Sequence, residues 1–220
     1  MASSIRRHFE RVSAAQAARE AGDAPMQGDE YHLMQAKLFE DYRRLKSVQA
    51  IERKVAIKRE ILPDYAAYVD GVLEAGQGAQ DEVVMRVMLW RIDIGDIEGA
   101  LSIGRYALRH GLEPGDQFQR STAAILVEEA ADQALALGDD DATLLEALQE
   151  IERITEGADM HDQIRAKLHK ALGNAHRADH QAEAALTHFR RALALNDRAG
   201  VKKDIERLER DIKQHGQSAG

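Results

Sequence analysis

The sequence predicts an all-α fold, with basic helices at the N-terminus and helical hairpins after them. Three observations carry this. The 220 residues contain 3 Pro and 5% aromatic residues, and Ala, Leu, Glu, Arg and Gln dominate, a composition that favours helix. No period-2 apolar run bounded by turn residues marks a strand. The segment Gly76 to Gly115, GQGAQDEVVMRVMLWRIDIGDIEGALSIGRYALRHGLEPG, reads as two punctuated antiparallel helices.

Taken in order, Ile5 to Glu20 forms a first helix, and AGDAPMQGD (21–29) reads as a linker from its Gly, Pro and Asp content. A long helix is expected from Glu30 to Leu62, ending before Pro63. Its apolar stripe is Tyr31, Met34, Leu38, Tyr42, Leu45 and Val48; Arg43, Arg44, Lys46, Arg53, Lys54 and Lys58 fall mostly on the other face. Asp64 to Ala75 follows, with Pro63 in its first turn. The hairpin around Trp90 breaks at Gly95-Asp96 and restarts at Ile97, running to His110. Further helices are expected at Phe118 to Leu137, Thr143 to Thr155, Asp162 to Ala178, Ala182 to Leu195 and Val201 to Gln214. Nine or ten helices with short connections suit a bundle or solenoid.

A weak internal repeat relates Ala100-Leu101-x-x-x-Arg105-x-Ala107-Leu108 to Ala185-Leu186-x-x-x-Arg190-x-Ala192-Leu193. Small residues on the second helix of a pair permit close approach, the mechanical logic of tetratricopeptide-like hairpins. Two ordinary Ala-rich hairpins would give the same pattern. The expected division is therefore a basic helical region, residues 1–62, and a tetratricopeptide-like helical-hairpin body, residues 63–220.

The net charge of −8 conceals an asymmetry. Residues 1–60 carry 12 basic and 9 acidic side chains, residues 61–160 carry 6 and 21, and residues 161–220 carry 12 and 8. The middle repels a polyanion and the ends do not. Between residues 43 and 59, seven Lys or Arg stand against one Glu. A solvated helix face explains such a run; so does a phosphate-contacting face, to which Arg6, Arg7 and Arg11 add an N-terminal arm. The candidate DNA-binding residues are thus Arg6, Arg7, Arg11, Arg43, Arg44, Lys46, Arg53, Lys54, Lys58 and Arg59.

Catalytic readings find less support. Asp81-Glu82, Asp93 with Asp96, and Asp139 to Asp141 are the acidic clusters open to a two-metal nuclease. Asp81, Glu82, Asp96 and Asp141 sit where helix starts want negative charge or an N-cap. Among the nine histidines, His176 and His180 are four apart and His169 precedes them, but Asp179-His180 reads as a break and spacing supplies no third ligand. No Gly-x-x-x-x-Gly-Lys-Ser/Thr loop and no Gly-x-Ser-x-Gly elbow occurs. The expectation is no metal, no cofactor and no catalytic residue. Cysteine is absent, which suits a reducing compartment, no apolar run approaches membrane-spanning length, and the first 20 residues lack a secretory h-region.

RVSAAQAA from Arg11, KREILPDY from Lys58, GQGAQDEVVMRVMLWRIDIGDIEGAL from Gly76, ADMHDQIRAKLHK from Ala158 and GVKKDIERLERDIK from Gly200 together resemble the small terminase subunit family of P-two-like tailed temperate phages. The resemblance spans nearly the whole chain. It implies a subunit that binds the packaging (cos) site on concatemeric double-stranded phage DNA and recruits and regulates the large ATPase-nuclease subunit. It also implies a homo-oligomer, often a ring, in the host cell cytoplasm. This family is frequently labelled an endonuclease subunit; the acidic clusters do not support an autonomous nuclease, so the label reads as describing the complex. Some relatives end in a Lys-rich tail, whereas this chain stops at QHGQSAG. Two alternatives remain: a subunit that itself cuts the cos site, and a helical-repeat adaptor without DNA contact.

Overall fold

A computed structural model describes residues 4–115, 120–138 and 142–218, with side chains to residue 214. The described residues form eleven α-helices, one 3-10 turn and no strand. The order is α1 Ser4–Ala21, α2 Asp29–Lys46, α3 Ile51–Ile61, the 3-10 turn Leu62–Asp64, α4 Ala66–Ala75, α5 Glu82–Asp93 and α6 Ile97–His110. Then come α7 Thr122–Leu137, α8 Leu145–Ile154, α9 Asp162–Ala178, α10 Ala182–Leu195 and α11 Lys202–Ser218. No described helix is long and apolar enough to cross a membrane. The chain divides into two compact units, Met1–Thr122 and Ala123–Gly220.

The expected Glu30–Leu62 helix is two helices. Ser47 ends α2, its hydroxyl donating to the Arg44 carbonyl at 2.7 Å, and Ala50 is extended before α3 restarts at Ile51. A straight helix of that length would run about 50 Å and carry its last turns beyond any core of this size. The break returns α3 to α5 and the 3-10 turn, where Ile57 and Ile61 become buried. Helices from both sides of residue 62 thus share the first unit's core: α1 packs on α4, and α2 on α5.

The α1–α4 contact relies on small residues. Ala14, Ala15 and Ala18 are buried on α1. A Cβ added at Gly71 of α4 would lie 2.2 Å from the Arg11 carbonyl oxygen. Helix α5 adds Val83, Val84, Met85, Val87, Met88 and Trp90 to the interior, and Trp90 meets Tyr65 edge-on, with centroids 5.8 Å apart. The compositional linker is also tied down: Met26 is buried and its N–H donates to the Gln80 carbonyl at 2.9 Å.

The N-cap expected at Asp96 forms, and Asp81, expected as a charge at a helix start, is an N-cap as well. Asp96 accepts from Gly99 N–H and Asp81 from Val84 N–H, both at 3.0 Å. Asp81 is fully buried and also accepts from the Tyr68 hydroxyl at 2.6 Å. Burial pushes its carboxyl up to about 6 despite those hydrogen bonds.

In the second unit α9 and α10 form a tight hairpin and α11 covers α10. Phe189 is fully buried, and a Cβ at Gly173 would come within 2.5 Å of its ring. Ala185, Ala192, Val201, Ile205 and Leu208 complete that cluster. Both repeat copies bury their alanines, Ala100 and Ala107 on α6, Ala185 and Ala192 on α10. The expected start at Phe118 and the cap at Asp141 lie outside the described residues.

Two outcomes test this packing. Gly71→Ala must displace backbone rather than a flexible side chain and should cost about 1–3 kcal/mol or more; urea unfolding reads it, and a midpoint unchanged from the native chain would contradict the close approach. Asp81 binds a proton in the folded state between its unfolded value near 3.8 and about 6. Its contribution to stability therefore falls as pH rises through that window, by about 3 kcal/mol in total. Asp81→Asn should lack this fall, so the stability difference between the native chain and the variant should change between pH 4 and pH 7.

Candidate nucleic-acid interface

The ten candidate cations fall into two groups. Five are held by groups of the protein itself. Arg6 pairs with Glu10 at 2.7 Å and Arg11 with Glu74 at 3.3 Å. Arg44 forms a two-pronged bridge to Glu60, at 3.1 and 2.7 Å, which holds the Glu60 carboxyl below the usual range. Lys58 donates to Asp93 of α5, and Arg59 reaches the Ile94 carbonyl at 3.4 Å. The Arg6–Glu10 pair lies within α1; the other contacts join different segments of the first unit.

The other five, Arg7, Arg43, Lys46, Arg53 and Lys54, have no ion-pair partner among the described residues. Four of them flank the Ser47–Ala50 break. Arg43 lies over the Phe39 ring at 5.4 Å, and Lys46 over Tyr42 at 4.7 Å, with Arg86 over the same Tyr42 at 5.3 Å. Phe39 is 63% and Ile51 77% exposed. The result is a basic, aromatic-studded helix–break–helix edge. Arg43 and Lys46 also stand in the last turn of α2, where the helix dipole favours cations.

Arg7 stands elsewhere. It lines a cleft of about 540 Å³ with Arg6, Lys37, Glu10, Glu60 and Asp64. Three cations meet three carboxylates there, so the lining of that cleft carries no net formal charge.

The acidic candidates have structural partners. Asp81 is buried under Tyr68 and Val84, Asp93 is bound by Lys58, and Asp96 caps α6 while pairing with Arg91 at 2.8 Å. Asp139 to Asp141 lie outside the described residues.

Sequence reasoning missed one cluster, in the second unit. His169 of α9 and His188 of α10 bring their Nδ1 atoms to 3.1 Å, and Glu152 of α8 sets Oε1 3.4 Å from the first and 3.9 Å from the second. His176 stacks on His188 with centroids 5.1 Å apart, its Nδ1 2.8 Å from the Gln181 side-chain oxygen. Burial pushes both the His169 and the His188 imidazoles down to about 4, with neighbouring histidines and, for His169, Arg191 and Arg165 adding to the effect. His180, four residues after His176, is exposed in the left-handed connection at φ 58°, at the break read from Asp179-His180. The hairpin itself held the signal: folding α9 against α10 about that connection places positions 169 and 188 opposite one another.

An all-helical protein with a cation-edged helix pair and a separate helical-hairpin unit is the class this architecture defines. The chain belongs to the phage small terminase subunit family, whose profile matches residues 35–163. It is 46% identical over 216 residues to the "Terminase, endonuclease subunit" of Escherichia phage P2, an alignment covering 97% of this chain and 87% of that protein. No solved structure matches it.

Proposed function

We propose that this chain is the DNA-recognising, non-catalytic subunit of a terminase. It binds the packaging site on phage DNA in the host cytoplasm, assembles with copies of itself and recruits the large ATPase-nuclease subunit. The observation that carries the reading is the set of cations without acidic partners at the α2–α3 break: Arg43, Lys46, Arg53 and Lys54. Fixed cations displace condensed counterions from duplex DNA, a sequence-independent attraction, and exposed aromatic and apolar side chains among them supply area for closer contact.

The endonuclease wording attached to the P2 protein supports a second reading, in which the chain itself cuts. Against it stand Asp81, Asp93 and Asp96, whose carboxylates already accept from protein donors. A two-metal centre needs several carboxylates converging with free oxygens.

Replacing Arg43, Lys46, Arg53 and Lys54 together with Gln should weaken binding to specific and random duplex alike. It should also flatten the salt dependence by roughly 0.9 per lost phosphate contact, about 3.6 in log–log slope if all four are made. Arg6→Gln with Arg7→Gln should have a smaller effect, because their cleft is charge-balanced. A gel-shift salt titration decides this, and unchanged affinity in the quadruple variant moves the DNA site elsewhere. Purified chain with Mg²⁺ or Mn²⁺ and packaging-site DNA should make no cuts until the large subunit is added. Nicking by the isolated chain would establish the second reading.

A further inference from the structure

We infer that Glu152, His169 and His188 form a site for one divalent transition metal of the zinc class in the second unit. Three ligand atoms from three helices, Glu152 Oε1 on α8, His169 Nδ1 on α9 and His188 Nδ1 on α10, all lie within 4.8 Å of one another. Their separations are 3.1, 3.4 and 3.9 Å. A tetrahedral zinc with bonds near 2.0–2.1 Å has ligand–ligand edges of about 3.4 Å. The protein's triangle brackets that value without any metal to draw it together.

Protons alone serve this arrangement poorly. One tautomeric hydrogen on His169 Nδ1 can form a linear bond to His188 or to Glu152, but not to both. His188 Nδ1 lies too far from Glu152 for a hydrogen bond. A cation at the centre would accept all three lone pairs at once. Imidazole and carboxylate together are a zinc-type set, not the all-oxygen set that Mg²⁺ or Ca²⁺ prefers.

The surroundings fit. The His169 and His188 side chains are 11% and 17% exposed, so their rings have few orientations open to them. His176, itself hydrogen-bonded to Gln181, stacks on His188 and limits the orientations open to that ring. Glu152 and His169 open on a cleft of about 380 Å³, also lined by Gln149, Arg153, Glu156, Arg165 and Arg191, which has room for a fourth, water ligand. Arg165 and Arg191 oppose a bound cation here, and Glu156 on the same cleft and the Glu152 ligand offset them; Arg165 is anchored by donating to the Thr155 carbonyl at 2.6 Å and hydroxyl at 3.0 Å. Bound metal would tie α8 to the α9–α10 hairpin.

The experiment is a calorimetric titration of the chelator-stripped full-length chain with Zn²⁺, and with Mg²⁺ in parallel, followed by Co²⁺ absorption spectroscopy. One saturable Zn²⁺ site per chain is expected, with tetrahedral Co²⁺ bands, a higher melting temperature and no Mg²⁺ competition. Glu152→Gln, nearly isosteric and partly exposed, keeps the fold; it and His188→Gln should each lower Zn²⁺ affinity by more than about 100-fold, beyond the loss of an outer-shell partner. His180→Ala, on the exposed connection, should bind as the native chain does. Absence of a saturable site, equal competition by Mg²⁺, or a Glu152→Gln variant that binds Zn²⁺ like the native chain would each overturn the proposal.

Discussion

The first unit is organised by a carboxylate that water does not reach. Asp81 starts α5 by accepting the Val84 N–H, and holds α4 beside it by accepting the Tyr68 hydroxyl. Losing either partner would leave a buried oxygen without a donor, so the start of one helix and the position of another are fixed together. The residues just before it extend the same node. Gly78 N–H donates to the Tyr106 hydroxyl of α6, and the Gln80 carbonyl accepts from Met26. Four segments distant in sequence are thus joined around a single short turn.

Electrostatics in this unit serve two ends. Lys37 bridges Asp41 and Asp64 at 3.0 Å each, while Asp41 accepts from the Tyr65 hydroxyl at 2.7 Å. With Lys58–Asp93 and Arg44–Glu60, these contacts tie α2, α3 and α5 to their neighbours. The exposed pairs contribute little individually; their effect is to fix which faces meet. Four cations not engaged in this way, Arg43, Lys46, Arg53 and Lys54, stand where α2 ends and α3 begins, so the helix break that buries Ile57 and Ile61 also gathers positive surface charge.

The second unit places polar groups differently. Its aliphatic and aromatic core around Leu148, Leu168, Leu172 and Phe189 is fully buried, yet three imidazoles and a carboxylate stand within the same helical layers. Neutral imidazoles tolerate burial where protonated ones do not, which is why desolvation depresses His169 and His188 so far. Arg177 packs over Phe189 and pairs with Asp204 of α11 at 2.6 Å, closing the opposite side of the hairpin.

Much of the fold was legible in one dimension. The bounds of α6, α9 and α10 coincide with those read from periodicity, because Asp96, Gly111 and the Asp179–Gln181 connection are local stop and start signals. The caps at Asp81 and Asp96 and the burial of Trp90 follow from the same short-range rules. The break at Ser47–Ala50 was not legible, since it contains neither Gly nor Pro and is imposed by the need to return Ile57 and Ile61 to the core. Nor could sequence show which cations pair: Arg44 finds Glu60 sixteen residues on and Lys58 finds Asp93 thirty-five residues on. His188, overlooked as an isolated histidine, meets His169 and Glu152 only when three helices pack. Local chemistry and periodicity determined the helices and their class; the meeting of side chains across helices belongs to tertiary structure, because Coulomb and coordination forces act over ångströms in space rather than along the chain.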